Sequence, residues 1–194
     1  MVTLQSANIV FSGHFNPYLI SPEWLRTQKI WEPAEVQLVV GGLGQDSVRF
    51  KGSGVEWMLS YDRMIIASTS MDCSKLAASI LGLLPHTPVF TTGANFVFQD
   101  PDVGLSHPMF VRIKAMIPPQ LTAPELLKWS MLFHEDDARV EVVLVGGEQG
   151  GTFSISRHRK TESTREASVA VSQFNADKCH SQDFVEKLIR GVCT

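Results

Sequence analysis

The sequence predicts an α+β protein in which two tandem, pseudo-duplicated β-α-β4-α halves form one curved antiparallel sheet with helices packed on one face. Three observations carry this. Residues 17–25 (Pro-Tyr-Leu-Ile-Ser-Pro-Glu-Trp-Leu) share Pro, Leu, Pro, Glu and Leu with residues 119–127 (Pro-Gln-Leu-Thr-Ala-Pro-Glu-Leu-Leu), an offset of 102. Residues 36–42 (Val-Gln-Leu-Val-Val-Gly-Gly) match residues 141–147 (Glu-Val-Val-Leu-Val-Gly-Gly) at an offset of 105. Between these motifs run short β-branched and aromatic segments punctuated by Gly, Asp and Pro, as a meander requires.

In the first half, a strand at 8–14 ends before Asn16-Pro17. Ser21-Pro22-Glu23 opens a helix that runs to about Ile30: Ser accepts free amides of the first turn, Pro fits the first helical position and Glu meets the positive dipole end. Strands follow at 35–40, 46–51, 54–61 and 63–69, with Gly52-Ser53-Gly54 as one hairpin turn. Asp72 then precedes a helix whose face is lined by Leu76, Ile80, Leu83 and Leu84, and Pro85 stops it.

The first α+β half therefore spans 1–85, residues 86–107 form a connector with one extended strand, and the second half spans 108–194, all within one structural domain. The second half repeats the order: a strand at 109–117, a helix from Thr122-Ala123-Pro124-Glu125 to Phe133, strands at 139–146, 151–158 and 165–174, and a helix at 180–191. This count leaves it one strand short. In topology the arrangement resembles the saddle of the TATA-binding protein, an analogy of shape only.

Composition narrows the function classes. Of 194 residues, 44% are hydrophobic, enough for a core without covalent staples. No apolar run approaches a membrane span, and the N-terminus lacks a basic stretch followed by an apolar one, so no membrane association and a cytoplasmic location are expected. Three cysteines without a C-x-x-C pair suit a reducing compartment.

The net charge is −3. The predicted strands supply Arg49, Lys51, Arg112 and Lys114 against Glu35, Glu56, Glu141 and Glu166, a near-neutral balance that disfavours nucleic acid. The one basic cluster, Arg157-His158-Arg159-Lys160, reads as an exposed hairpin tip.

No catalytic constellation emerges, and no cofactor is expected. Gly41-Gly42-Leu43-Gly44 and Gly146-Gly147-Glu148-Gln149-Gly150 precede strands, whereas a phosphate loop must open a helix. His134, Asp136 and Asp137 are the nearest approach to a metal-binding set, in what reads as a solvated acidic loop. His14 reads as a structural histidine. Cys179-His180 lies at a predicted helix start, where the dipole lowers a thiol pKa, but adjacent helical side chains diverge.

Trp24, Trp57, Trp129 and Tyr61 are the candidate binding residues, as core or interface anchors. The leading expectation is a non-enzymatic module that binds a protein partner or forms a homo-oligomer through its sheet. The alternative is a small-molecule site or enzyme pocket between helices and sheet, lined by Trp24, Trp57 and Trp129 with His134 or Cys179 nearby.

Overall fold

A computed structural model of the chain describes residues 1–38, 47–68, 71–116, 126–135 and 137–191. The strands are β1 (Thr3–Gly13), β2 (Gln37–Leu38), β3 (Val48–Gly52), β4 (Val55–Leu59), β5 (Arg63–Ser68), β6 (Val89–Asp100), β7 (Leu127–His134), β8 (Arg139–Gly147) and β9 (Gly150–Lys160). The helices are α1 (Pro22–Thr27), α2 (Cys73–Leu83), α3 (Pro108–Lys114), α4 (Thr164–Ser172) and α5 (Phe174–Arg190). All nine strands join one antiparallel sheet in the order β2-β3-β4-β5-β1-β6-β9-β8-β7.

Period-2 alternation divides the sheet into two faces. On β1, Ala7, Ile9 and Phe11 are buried, while Ser6, Asn8, Val10 and Ser12 between them are half-buried. The buried set continues through Phe96 and Phe98 on β6, Phe153 and Ile155 on β9, Val142 and Leu144 on β8, Ile66 on β5 and Trp57 on β4. Helices α2, α4 and α5 stand on this face, α2 against β5 and β1, α4 against β6, and α5 against β6 and β9. Among the described residues, no helix covers the opposite face.

Several predicted elements form where their local signals placed them. Ser21 caps α1 by accepting from the Trp24 amide at 3.1 Å, with Pro22 at the first helical position. Asp72 caps α2, accepting from the Ser74 amide at 3.0 Å. Ser53 and Gly54 take positive φ of 47° and 75° in the β3–β4 hairpin. Of the strand expected at 35–40, Gln37–Leu38 is strand and Glu35 and Val36 are not, while residues 39–46, including the Gly41-Gly42-Leu43-Gly44 motif, lie outside the described residues.

The second half departs from expectation in four places. Residues 109–117, read as a strand, begin as helix α3: His107 accepts from the Met109 amide, Pro108 pre-sets the first turn, and Phe110 is fully buried. The helix expected over 122–133 is replaced from Leu127 onward by strand β7, where Leu127, Trp129, Met131 and Phe133 alternate with Lys128, Ser130, Leu132 and His134. Period-2 patterning outweighed the helix-start signal, and Thr122 to Glu125 lie outside the described residues. Trp129, expected on a helix equivalent to α1, therefore stands on a strand, while the second copy of the Pro-Glu-x-Leu recurrence lies, apart from Leu126 and Leu127, outside the described residues.

Residues 165–174, read as a strand, are mostly helix α4. Buried Thr164, Ala167, Ala170 and Val171 follow helical spacing, and Ser163 caps the helix through the Glu166 amide at 3.2 Å. Helix α5 starts at Phe174, six residues before the expected boundary, and ends at Gly191 in the left-handed conformation with φ 70°. The expected connector also contributes β6, which pairs along β1 at the centre of the sheet.

Candidate functional site

Strand register sets the open face out as rows of side chains. The central row runs Lys51, Glu56, Ala67, Asn8, Asn95, Ser156, Glu141 and Leu132 across β3, β4, β5, β1, β6, β9, β8 and β7. Beside it lie Arg49, Met58, Ile65, Val10, Gly93, His158, Arg139 and His134. A further row is Arg63, Ser12, Thr91 and Lys160 on β5, β1, β6 and β9. Serine, threonine, asparagine and glycine thus line much of β1 and β6 at the centre, with Arg63 and Ile65 on β5 and His158 and Lys160 on β9 flanking them.

A cavity of about 470 Å³ occupies that centre, bordered by Asn8, Ser12, Arg63, Thr91, Asn95 and His158. Asn95 Nδ2 donates to Asn8 Oδ1 at 2.7 Å across the β1–β6 seam. The two asparagines belong to a recurrence that sequence inspection missed: Ala7-Asn8-Ile9-Val10-Phe11 and Ala94-Asn95-Phe96-Val97-Phe98. The shared strand pattern was the available signal. Gly93 makes room for the imidazole opposite it, since a Cβ there would lie 2.9 Å from His158 Nδ1. Burial, aided by Arg139 and opposed by Glu141, lowers His158 from the ordinary imidazole value, which favours the uncharged ring.

The open-face strands carry a charge imbalance that residue counting did not reveal. Arg49, Lys51, Arg63, Lys128, Arg139 and Lys160 alternate onto this face against only Glu56 and Glu141. Among the described strand residues, six cations and two acids therefore alternate onto this face. Arg112 belongs to helix α3 and Glu166 to helix α4, so neither enters the sheet balance, and Lys114 lies in α3 as well. Among the described residues, Arg49 alone of the six forms an ion pair, with Glu56.

The expected hairpin tip at 157–160 is instead the end of β9, and its arginines turn inward. Arg159 makes a two-pronged contact with Asp177, Nη1 to Oδ2 at 2.6 Å and Nη2 to Oδ1 at 3.0 Å, while its Nε reaches Asp137 at 2.8 Å. Arg157 pairs with Glu135 and approaches Ser181 at 3.5 Å. Two acids of the 134–137 run thus neutralise buried guanidinium groups. His134 lies on the open face at the end of β7, and Asp136 is outside the described residues. No set of three metal-capable side chains occurs among the described residues.

The four aromatic candidates are not brought together. Trp57 is fully buried, stacked on Phe50 with centroids 6.0 Å apart and close to Trp31. Trp24 is partly buried on α1. Tyr61 is exposed beside Tyr18, ring centroids 6.4 Å apart. Trp129, expected on a helix, stands on β7 and is 41% exposed, next to Leu132 at 50% and Phe133 at 41%.

Trp129 also borders a cleft of about 930 Å³ with Met109, Ile113, Leu188 and Ile189 between α3, β7 and the end of α5. Of the phenylalanines on β6, Phe96 and Phe98 are core residues and Phe90 is exposed. Cys179 and His180 lie inside α5 and not at its start, so the helix-terminus argument for a lowered thiol pKa does not apply. His14 is exposed and meets the Phe90 ring edge-on at 5.0 Å.

No helix among the described residues is long and apolar enough to cross a membrane. No protein-family model matches the chain, and the search of curated proteins finds no match either.

Proposed function

We propose that this chain is a non-enzymatic binding module that pairs with a second polypeptide chain, foremost another copy of itself, through edge strand β7. The observation that carries the reading is the character of that edge. β7 offers eight residues, and no described strand lies beyond it. Three large apolar side chains, Trp129, Leu132 and Phe133, stand partly in solvent there. Unpaired backbone groups along such a strand are a template for another strand, and exposed aromatic residues contribute strongly to protein interfaces.

Antiparallel pairing of two β7 strands about Met131 would oppose Trp129 to Phe133 of the second copy and Met131 to its own equivalent. Cross-strand aromatic pairs of this kind stabilise by roughly 0.2–1 kcal/mol each. Sedimentation of the purified chain tests the reading: a dimer is expected, converted to monomer by Trp129→Glu with Phe133→Lys while far-ultraviolet circular dichroism is unchanged. A wild-type monomer at high micromolar concentration would refute self-pairing.

The reading includes a duplicated architecture, at a spacing different from that of the Pro-Glu-x-Leu match. β1 begins at Thr3 and β6 at Val89, and α1 and α3 begin at Pro22 and Pro108, both 86 residues apart. Asn8 faces Asn95, its counterpart in the Ala-Asn-x-Val-Phe recurrence. In each half the last strand returns beside the first, β5 beside β1 and β9 beside β6. This order supports a platform of the TATA-binding-protein shape, an analogy that carries no function with it.

A further inference from the structure

The open face presents chemistry unlike that of the β7 edge. We propose that the central trough over β5, β1, β6 and β9 binds a small molecule bearing a phosphate monoester. The phosphate sits over Ser12 and Thr91, between the side chains of Arg63 and Lys160. Arg63 faces Ser12, Ser12 faces Thr91, and Thr91 faces Lys160, so two hydroxyls lie side by side with a cation at either end. Adjacent strands are about 4.8 Å apart, which makes the row about 14 Å long. Long, flexible Arg and Lys side chains can fold inward over that distance and converge above the hydroxyls.

Neither cation is held in a salt bridge among the described residues, although Arg63 is close enough to Asp62 to help the Ser60 hydrogen bond lower its carboxyl. Among the same residues, the Ser12 and Thr91 hydroxyls have no protein hydrogen-bond partner. The nearest acid in sequence, Asp62, accepts a hydrogen bond from Ser60 Oγ at 2.6 Å. A tetrahedral phosphate dianion presents enough oxygens to accept from two hydroxyls and two cations at once, whereas a carboxylate offers two oxygens in one plane.

The rest of the trough accommodates the remainder of such a ligand. Its volume, about 470 Å³, falls within the range of small-molecule sites. Beyond the phosphate row, Gly93 leaves the floor low beside the His158 ring, and the Asn8–Asn95 pair supplies further amide donors and acceptors. The body of the ligand is therefore polar and able to hydrogen-bond, as a sugar or a base is.

Amide-resolved NMR titration of the full chain at low salt tests the proposal, with adenosine 5′-monophosphate as probe and adenosine, inorganic phosphate and a 12-nucleotide oligomer lacking terminal phosphates as comparators. Saturable shifts confined to residues near 10–12, 63, 91–93 and 158–160 are expected with adenosine 5′-monophosphate. Inorganic phosphate should shift the Ser12 and Thr91 end alone, and adenosine should bind at least tenfold more weakly than its monophosphate. Arg63→Gln and Lys160→Gln, both at exposed positions, should each weaken the monophosphate about tenfold, the scale of one charge-assisted hydrogen bond. Lys51→Gln, on the same face but outside the row, should change it less than twofold.

An equal loss in Lys51→Gln would reduce the effect to diffuse charge and overturn the site. Binding of the oligomer alone would overturn the monoester in favour of a phosphodiester chain. Absence of shifts with both the monophosphate and inorganic phosphate would overturn the proposal outright. None of these outcomes depends on β7 pairing.

Discussion

The two wings of the sheet are closed onto the same side of the molecule by different forces. On the wing built from β2 to β5, the seal is aromatic: Trp31, Phe50 and Trp57 pack with ring centroids 5.7 to 6.0 Å apart. On the wing built from β7 to β9, the seal beneath α5 includes Arg159 with Asp177 and Asp137, and Arg157 with Glu135. Among the described residues, the indole N–H groups of Trp31 and Trp57 in the aromatic wing have no partner. The ionic wing pairs its buried guanidinium groups but concentrates charge where water is scarce. Geometric error is therefore felt differently: the first wing loses dispersion and packing, and the second strands a charge.

The largest expected effect separates the two wings directly. Asp177→Ala removes the partner of a buried guanidinium and should destabilise the fold by about 3–5 kcal/mol in urea denaturation. Trp57→Phe keeps most of the ring volume and deletes an unpaired N–H, so its cost should stay below about 1.5 kcal/mol. Similar costs for the two variants would erase the distinction between the wings.

A smaller effect sharpens the comparison where the wings meet. Asp72 caps α2 and also accepts from Asn175 Nδ2 of α5 at 3.0 Å. Desolvation raises its carboxyl, but hydrogen bonds from Ser74 and Asn175 outweigh this and hold it below the usual value. A lowered folded-state pKa stabilises above the unfolded pKa, and this contribution disappears as pH falls through the folded value. Asp72→Ala should therefore cost about 1 kcal/mol at pH 7, and the gap from wild type should close as pH drops below about 4.

The smallest effect concerns reactivity alone. Cys73, fully buried, has its thiol pushed up to about 11 by burial, with a further contribution from Asp72. Cys179 on α5 is exposed. Maleimide labelling at pH 8, read by peptide mass spectrometry, should modify Cys179 and spare Cys73 until the protein is denatured. Equal labelling would place the first wing in frequent opening. The sign of the Cys73 shift makes its contribution to stability full below the unfolded pKa and lost as pH rises toward 11.

Legibility followed the competition among local signals. Helices α1 and α2 were readable because cap, proline and apolar spacing all agree at Ser21-Pro22-Glu23 and at Asp72. At β7 two signals conflict, Pro124-Glu125 for a helix and Leu127-Trp129-Met131-Phe133 for a strand; pairing with β8 favours the latter. At α4 the Ser163-x-x-Glu166 spacing was present but was overlooked beside the Ala167-Val169-Val171 alternation. His107 before Pro108 is a weaker start signal than Ser or Asp. What completes α3 is distant, since Phe110 packs on Gly146, where a Cβ would meet the ring at 2.7 Å.

Of the candidate sites, chemistry was legible and placement was not. The residues of the phosphate row come from four strands, spread from Ser12 to Lys160, and nothing local links them. The acidic run at 134–137 invited a metal reading because the arginines that neutralise two of its members lie 22 residues away.

By itself, the sequence determined the α+β class, the alternation that gives each strand a core side and an outer side, and the caps that start α1 and α2. These depend on side chains within one or two turns of each other, so their physics is local. Tertiary structure decided that β1 and β6 lie together at the centre, that 127–134 is an edge strand, and that Arg157 and Arg159 turn inward while Arg63 and Lys160 are left for the open face. Those outcomes depend on strand register and on which face the helices cover, and both are long-range energies that no window of sequence contains.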